Sequence, residues 1–321
     1  MTPSHKIFTA MFVIALALVA AARAEAQEEF VKPVVENLVL AGGGHWGLAH
    51  IGVLSVLEQQ RASGRYDGAK AIIGTSIGSL YGSLYAAGYS PATLAFYFVR
   101  PANGNTNRAN VTLVGVNAIQ DYGLVSGTGL GFVLDQFYNA TTGIFGITFE
   151  QLFALTDIEL TVVAYNLNLQ TTVYFNHLTA PNMKVSQAVV LSSSVPLLFT
   201  SAVYQGHRYI DGGVRDVYPF RYFTNQGVYA LRHTLGSTFK PNYDATVIET
   251  VDDFAGNLLR VMQENNLPAI RPREAKRTIF SDMPAGIRDV ETILTQVDAN
   301  AIYQAGVTAA TAFFTDPDAP F

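Results

Sequence analysis

From about residue 35 onward the chain predicts an α/β layered domain with a largely parallel sheet. Three observations carry that expectation. Short apolar runs alternate with longer amphipathic ones, glycines cluster where the two kinds meet, and no internal repeat or low-complexity tract breaks the pattern. Hydrophobic residues make up 49% of the 321 positions and charged residues only 14%, which is enough apolar material for a sizeable core.

Leu38-Val39-Leu40-Ala41 is the first buried-strand candidate, stopped by three glycines. A helix follows, with Leu48, Ile51, Leu54 and Leu57 at three-residue spacing. Ala71-Ile72-Ile73 is the second strand candidate, and Ser79 to Ala87 is the helix after it, closed by Gly88. Between Ser90 and Phe153 the chain is rich in Gly, Asn, Thr and aromatics, among them Phe96, Phe132 and Phe145. Most of these aromatics are expected in the core, with two or three reaching the mouth of a site. Ile158 to Tyr165 and Thr171 to Phe175 predict two strands joined by a polar turn at Asn168. Val185 to Leu191 predicts a helix, Pro196 interrupts, and Tyr209-Ile210 leads as a strand into Asp211. Val228 to Thr234 reads as a further strand, and beyond Asp244 the chain reads as mostly helical, including Val247 to Gln263 and Ala301 to Phe313. No linker divides this stretch, so one domain is expected from about 28 to 321.

The first 26 residues read as an export signal. Lys6 precedes an apolar run from Ile7 to Ala22, and two overlapping A-x-A patterns follow, Ala22-Arg23-Ala24 and Ala24-Glu25-Ala26. A secreted or periplasmic protein is the corresponding expectation. The apolar run is shorter than the ~20 residues of a membrane span.

Composition excludes several functions. Twenty basic against twenty-five acidic residues, a net charge of −5, give no basic excess to displace phosphate counterions, so no nucleic acid is expected. Zero cysteines exclude disulfides, thiolate metal sites and a cysteine nucleophile. His50, His177 and His207 show no metal-ligand spacing, so neither metal nor cofactor is expected.

Three motifs carry chemistry. Gly74-Thr75-Ser76-Ile77-Gly78 lies between a predicted strand and a predicted helix. There the flanking glycines leave room for a sharp turn that lifts a nucleophilic serine above the sheet edge. Gly42-Gly43-Gly44-His45-Trp46-Gly47 also joins strand to helix and admits two readings. A dinucleotide turn wants an acidic residue ending the next strand, and Asp67 precedes that strand instead. An oxyanion hole needs only amide N–H groups aimed at one point, and the neighbouring Ser76 favours that reading. The third motif is Asp211-Gly212-Gly213 at a predicted strand end; by itself it reads as a structural turn. Acyl transfer through Ser76, however, requires a histidine or carboxylate base.

In this order and spacing the three motifs resemble the signatures of patatin-like phospholipases. The block Ser192-Ser193-Ser194-Val195-Pro196-Leu197-Leu198-Phe199 and the phrases Tyr165-Asn166 and Val173-Tyr174-Phe175 are also similar to that family. The resemblance covers roughly residues 36 to 230. It implies a three-layer α/β/α sandwich and a Ser–Asp dyad, with Ser76 as nucleophile and Asp211 as base. Gly42, Gly43, Gly44 and the N–H of Ile77 would hold the oxyanion, and Gly47, Gly74, Gly78, Gly212 and Gly213 would support the motifs. The implied substrate is a lipid or other acyl ester, met at a membrane or micelle surface, with no metal. Two departures stand out. Trp46 occupies a place where the family usually has Arg or Lys, which puts phosphate-headgroup selectivity in doubt. Val214-Arg215-Asp216-Val217-Tyr218-Pro219 lacks the asparagine that many members carry before the proline.

Two rivals remain at this stage. An α/β-hydrolase triad is met formally by Ser76, Asp211 and His233 in that chain order. A non-catalytic secreted lipid-binding protein on the same scaffold is the other.

Overall fold

The computed structural model describes residues 32–100, 123–125, 128–240, 270–287 and 294–321, together with positions 254, 257, 258 and 260–262. The predicted export signal and the helix expected from Val247 lie wholly or largely outside the described residues. The strands are β1 (Val35–Leu40), β2 (Tyr66–Thr75), β3 (Gly123–Val125), β4 (Glu159–Asn166), β5 (Thr171–Phe175), β6 (Leu197–Phe199), β7 (Ala202–Tyr204), β8 (His207–Asp211), β9 (Thr234–Lys240) and β10 (Thr278–Asp282). The longer helices are α1 (Leu48–Gln59), α2 (Ile77–Ala86), α3 (Thr128–Thr142), α4 (Phe149–Thr156), α5 (Val185–Ser192) and α6 (Gln296–Thr315).

Among the described residues the main sheet has eight strands in the order β10-β9-β1-β2-β4-β8-β7, with β5 also on β4. From β10 to β4 every pairing is parallel, whereas β5, β7 and β8 enter antiparallel. β3 and β6 form a separate parallel pair.

Side chains alternate across a strand, so a strand apolar at every position must be covered on both faces. Leu38, Leu40, Ile72, Leu160 and Val162 join one core with residues of α1, α2, α5 and α6. Val39, Ala41, Ile73 and Val163 point the other way, into a second core with Tyr218, Phe220, Phe223, Ala230 and Leu231. The result is the three-layer α/β/α arrangement. α1 is buried almost all round because α6 covers the side turned from the sheet. Gly52 and Gly306 permit that contact, since a Cβ at Gly306 would sit 2.0 Å from the Ala49 carbonyl oxygen and one at Gly52 2.3 Å from that of Tyr303.

One expectation is corrected. Val228 to Thr234 is not a strand: Val228–Arg232 is a short helix after Gly227 at φ +111°, and β9 begins only at Thr234. Its burial decides the matter, because Ala230 and Leu231 are both buried while Val228 and Tyr229 are both exposed, a pattern that alternation cannot produce. In the C-terminal part the helix expected over Ala301 to Phe313 lies within α6, and a short strand the sequence did not indicate, β10, extends the sheet at its edge. Of the central aromatics, Phe98, Tyr138 and Phe149 are buried, whereas Phe96, Phe132 and Phe145 are at least half exposed.

Candidate active site

The register of β4 brings the second and third motifs together. Residues 71–75 of β2 pair with 159–163, and residues 211–209 of β8 pair with 164–166. β5 takes positions 162–166 and therefore fills the opposite edge. β2 and β8 thus share one edge of β4 and run at each other, meeting between Val163 and Ala164. β2 leaves that seam through Ser76, and β8 ends there with Asp211.

Ser76 sits at φ +52°, ψ −123°, immediately before α2, a conformation that non-glycine residues rarely adopt. Contacts on all sides hold it there. Its N–H donates to Ser192 Oγ at 2.8 Å, and Ser192 in turn donates to the Val163 carbonyl. The Ser76 carbonyl accepts from the N–H groups of Ser79 and Leu80 and from the Ser79 hydroxyl. The glycines are steric requirements. A Cβ on Gly74 would lie 2.5 Å from the Gly78 backbone, one on Gly78 2.2 Å from the Leu40 oxygen, and one on Gly47 2.3 Å from the Ile77 side chain.

Asp211 is 1% exposed. Oδ1 accepts from the Gly213 N–H at 2.7 Å, and the Asp211 N–H donates to the Ser194 carbonyl at 2.9 Å. Oδ2 makes no hydrogen bond of ordinary geometry. Burial drives the carboxyl up from the ordinary 3.8, the Ser76 side chain and the Gly213 N–H pull it back, and it settles at about 6. Gly212 lets the turn pass the seam, because a Cβ there would meet the Val163 oxygen at 2.5 Å.

The first glycine motif lies alongside. Gly43 (φ +156°) and Gly44 (φ +50°) open the backbone into a cradle, and among the described residues nothing accepts from the amides of Gly43, Gly44 or Ile77. Gly42 departs from the expected set. Its N–H donates to the Val217 carbonyl at 2.8 Å, so its part is to keep the space beside Ser76 clear, where a Cβ would stand 3.4 Å from that of Ser76. The preceding carbonyl, that of Asp216, accepts from the Thr75 hydroxyl at 2.8 Å. Two consecutive carbonyls after the third motif therefore tie down the elbow and the cradle.

A model of the patatin-like phospholipase family matches residues 38–224, which include all three motifs and the seam between them. The chain belongs to this family. Among relatives, an uncharacterized protein R571 of Acanthamoeba polyphaga mimivirus is 28% identical over 205 residues, covering 64% of this chain and 65% of its own. A probable lipid hydrolase 463L of Invertebrate iridescent virus 6 is 27% identical over 184 residues, covering 57% and 61%. The chain thus spans less than two thirds of the length of both. VipD from Legionella pneumophila has a similar fold at 14% identity, with a TM-score of 0.58 over 87% of this chain and 67% of its own.

Two other residues fall outside this patatin-like site. Trp46 is buried, donates from Nε1 to the Ile287 carbonyl at 3.1 Å and meets Phe239 edge-on, so it anchors the loop to the core. His233 precedes β9, whose first residue pairs with Asn37 near the start of β1, whereas Ser76 lies beyond the pairing of Leu40 with Gly74. It stands at the opposite end of the sheet, bonded to the Val34 carbonyl and stacked on Tyr229, and the Ser–Asp–His arrangement is excluded. The sequence also gave no sign of the part played by Ser192, whose hydroxyl reaches the elbow from 116 residues away.

Proposed function

We propose that the chain is a serine acyl hydrolase of lipid esters, with Ser76 as nucleophile and Asp211 as its base. The observation that carries this is the meeting of a strained, buried serine and a carboxylate made more basic by burial at one seam of the sheet. A carboxylate at about 6 is ionised at neutral pH yet is a better proton acceptor than an ordinary aspartate.

In this reading Ser76 Oγ attacks the ester carbonyl as its proton passes to Asp211 Oδ2. The amides of Gly43, Gly44 and Ile77 receive the oxyanion. The intermediate collapses, the alcohol leaves with the proton held by Asp211, and an acyl-enzyme remains. Water then attacks the acyl carbon while Asp211 takes its proton, and the acid departs as the Ser76 hydroxyl is restored.

The half-exposed Phe132 and Phe145, whose rings lie 6.0 Å apart, suit contact with a membrane or micelle surface. Because Trp46 is an inward-facing indole, that position offers no guanidinium to a phosphate. Esters with and without a phosphate headgroup are therefore expected to react at comparable rates. Export after residue 26 completes the reading and is checked by the N-terminal sequence of the protein recovered from its native compartment.

The test is labelling of the full chain by a fluorophosphonate, with hydrolysis of p-nitrophenyl acyl esters and a phospholipid panel alongside. Labelling and hydrolysis that both disappear in Ser76→Ala support the proposal. Lipid binding without labelling on any lipid surface overturns it in favour of a binding protein.

A further inference from the structure

His50, in the first turn of α1, is fully buried and has no part in the proton transfers above. Its Nε2 lies 2.9 Å from the Ala41 carbonyl oxygen and its Nδ1 2.8 Å from Ser237 Oγ. A carbonyl can only accept, so Nε2 carries the proton. Burial lowers the ring to about 4, which keeps it neutral near pH 7, and Nδ1 therefore accepts from the Ser237 hydroxyl. Ser237 also holds the other side of the same residue, since its carbonyl accepts the Ala41 N–H at 3.1 Å.

Ala41 is the last residue before the cradle. Its carbonyl belongs to the peptide whose N–H is that of Gly42, and the Gly43 and Gly44 amides follow within two residues. Behind them lies Phe239, with its ring 4.7 Å from that of His50 and its edge 2.6 Å from where a Gly43 Cβ would be. The hinge of the cradle is thus gripped at its carbonyl by His50 and at its N–H by Ser237, while Phe239 backs the next glycine.

We propose that His50 is a positioning residue of the oxyanion cradle, fixing through Nε2–H and the Ala41 carbonyl the peptide from which the Gly43 and Gly44 amides are aimed. This rests on the acyl-hydrolase reading. His50 touches no reacting atom, and its effect is on the direction of donors that matter most when charge develops on the substrate oxygen.

Three variants test it. His50→Leu keeps bulk and removes the donor, His50→Gln keeps an amide donor for Ala41, and Ser237→Ala removes only the hydroxyl that orients the ring. The readouts are kcat and KM on a soluble p-nitrophenyl ester, the fluorophosphonate labelling rate, and thermal melting. His50→Leu is expected to lower kcat about 100-fold, the size of losing one well-aimed oxyanion donor, with KM nearly unchanged. The labelling rate should fall in parallel, since the probe also builds negative charge on an oxygen in the cradle. His50→Gln should regain most of the loss, and Ser237→Ala, the variant to rely on should His50→Leu fail to fold, should lose about tenfold. A His50→Leu or Ser237→Ala protein that melts earlier but keeps its kcat makes these ordinary core residues and overturns the proposal, as does a Gln variant no better than Leu. If the unaltered protein neither labels nor hydrolyses esters, the underlying reading has failed instead.

Discussion

Replacing Asp211 by Asn should destroy turnover and raise stability together. The carboxyl stands at about 6 in the folded chain against an ordinary 3.8, so between these values the folded state binds the extra proton. Stability therefore falls as pH rises through that window, and the full cost is present above about pH 6. A displacement of this size corresponds to about 3 kcal/mol. Asparagine keeps an oxygen for the Gly213 N–H and carries no charge. It should melt roughly 6 °C above the unaltered protein at pH 8, at ~2 °C per kcal/mol for a chain of this size. The gap should close toward pH 4, where both side chains are neutral. Above about pH 6, where Asp211 is ionised, turnover should fall by roughly 10²- to 10⁴-fold, the usual contribution of a general base. The unaltered enzyme should lose kcat/KM below about pH 6 with a slope of one proton. Calorimetry from pH 4 to 8 beside pH–rate profiles measures both. A melting difference that ignores pH, or an active Asn variant, would refute the reasoning.

Other substitutions separate the parts of the site. Ser192→Ala withdraws the acceptor of the Ser76 N–H and should lower kcat about tenfold while leaving the protein folded, read by steady-state kinetics and circular dichroism. Gly78→Ala forces a Cβ to within 2.2 Å of the Leu40 oxygen and should cost about 3 kcal/mol or more, seen as insoluble expression or a much lower melting point. His233→Ala should leave esterase activity within about twofold, since the ring lies at the far end of the sheet. Phe132→Ser with Phe145→Ser should weaken vesicle binding on the order of 30-fold, about 1 kcal/mol for each half-exposed ring, without changing soluble-ester turnover.

Runs of apolar, β-branched and aromatic residues bounded by turn signals are what made strands readable from the sequence. Thr171–Phe175 matches its expected limits, and the first two parallel strands differ only at their ends. β2 starts five residues earlier than its apolar run because Tyr66 to Lys70 is largely polar, and β10 escaped notice because Thr278–Asp282 is short and flanked by charge. The elbow was legible because its glycines answer to backbone atoms four residues away or on the adjoining strand. The direction of Trp46 and the partner of the Gly42 amide were not, since Ile287 and Val217 lie more than 170 residues from them. Local steric need leaves a mark on the sequence; a long-range hydrogen bond satisfied by any carbonyl does not.

Under the proposed dyad, the topology also bears on how two residues can do work often divided among three. In a triad a third side chain orients the base and fixes its protonation. Here the backbone supplies the orientation: Oδ1 is held by the Gly213 N–H, the Asp211 amide by the Ser194 carbonyl, and the strand itself by Ala164. The remaining oxygen is left without a regular partner, toward the serine that favours its ionised form. A third polar side chain there would lower the carboxyl further and make it a weaker acceptor. The antiparallel entry of β8 is then what the chemistry needs from the fold. Run parallel to β4, β8 would carry Asp211 away from the end of β2 instead of into it.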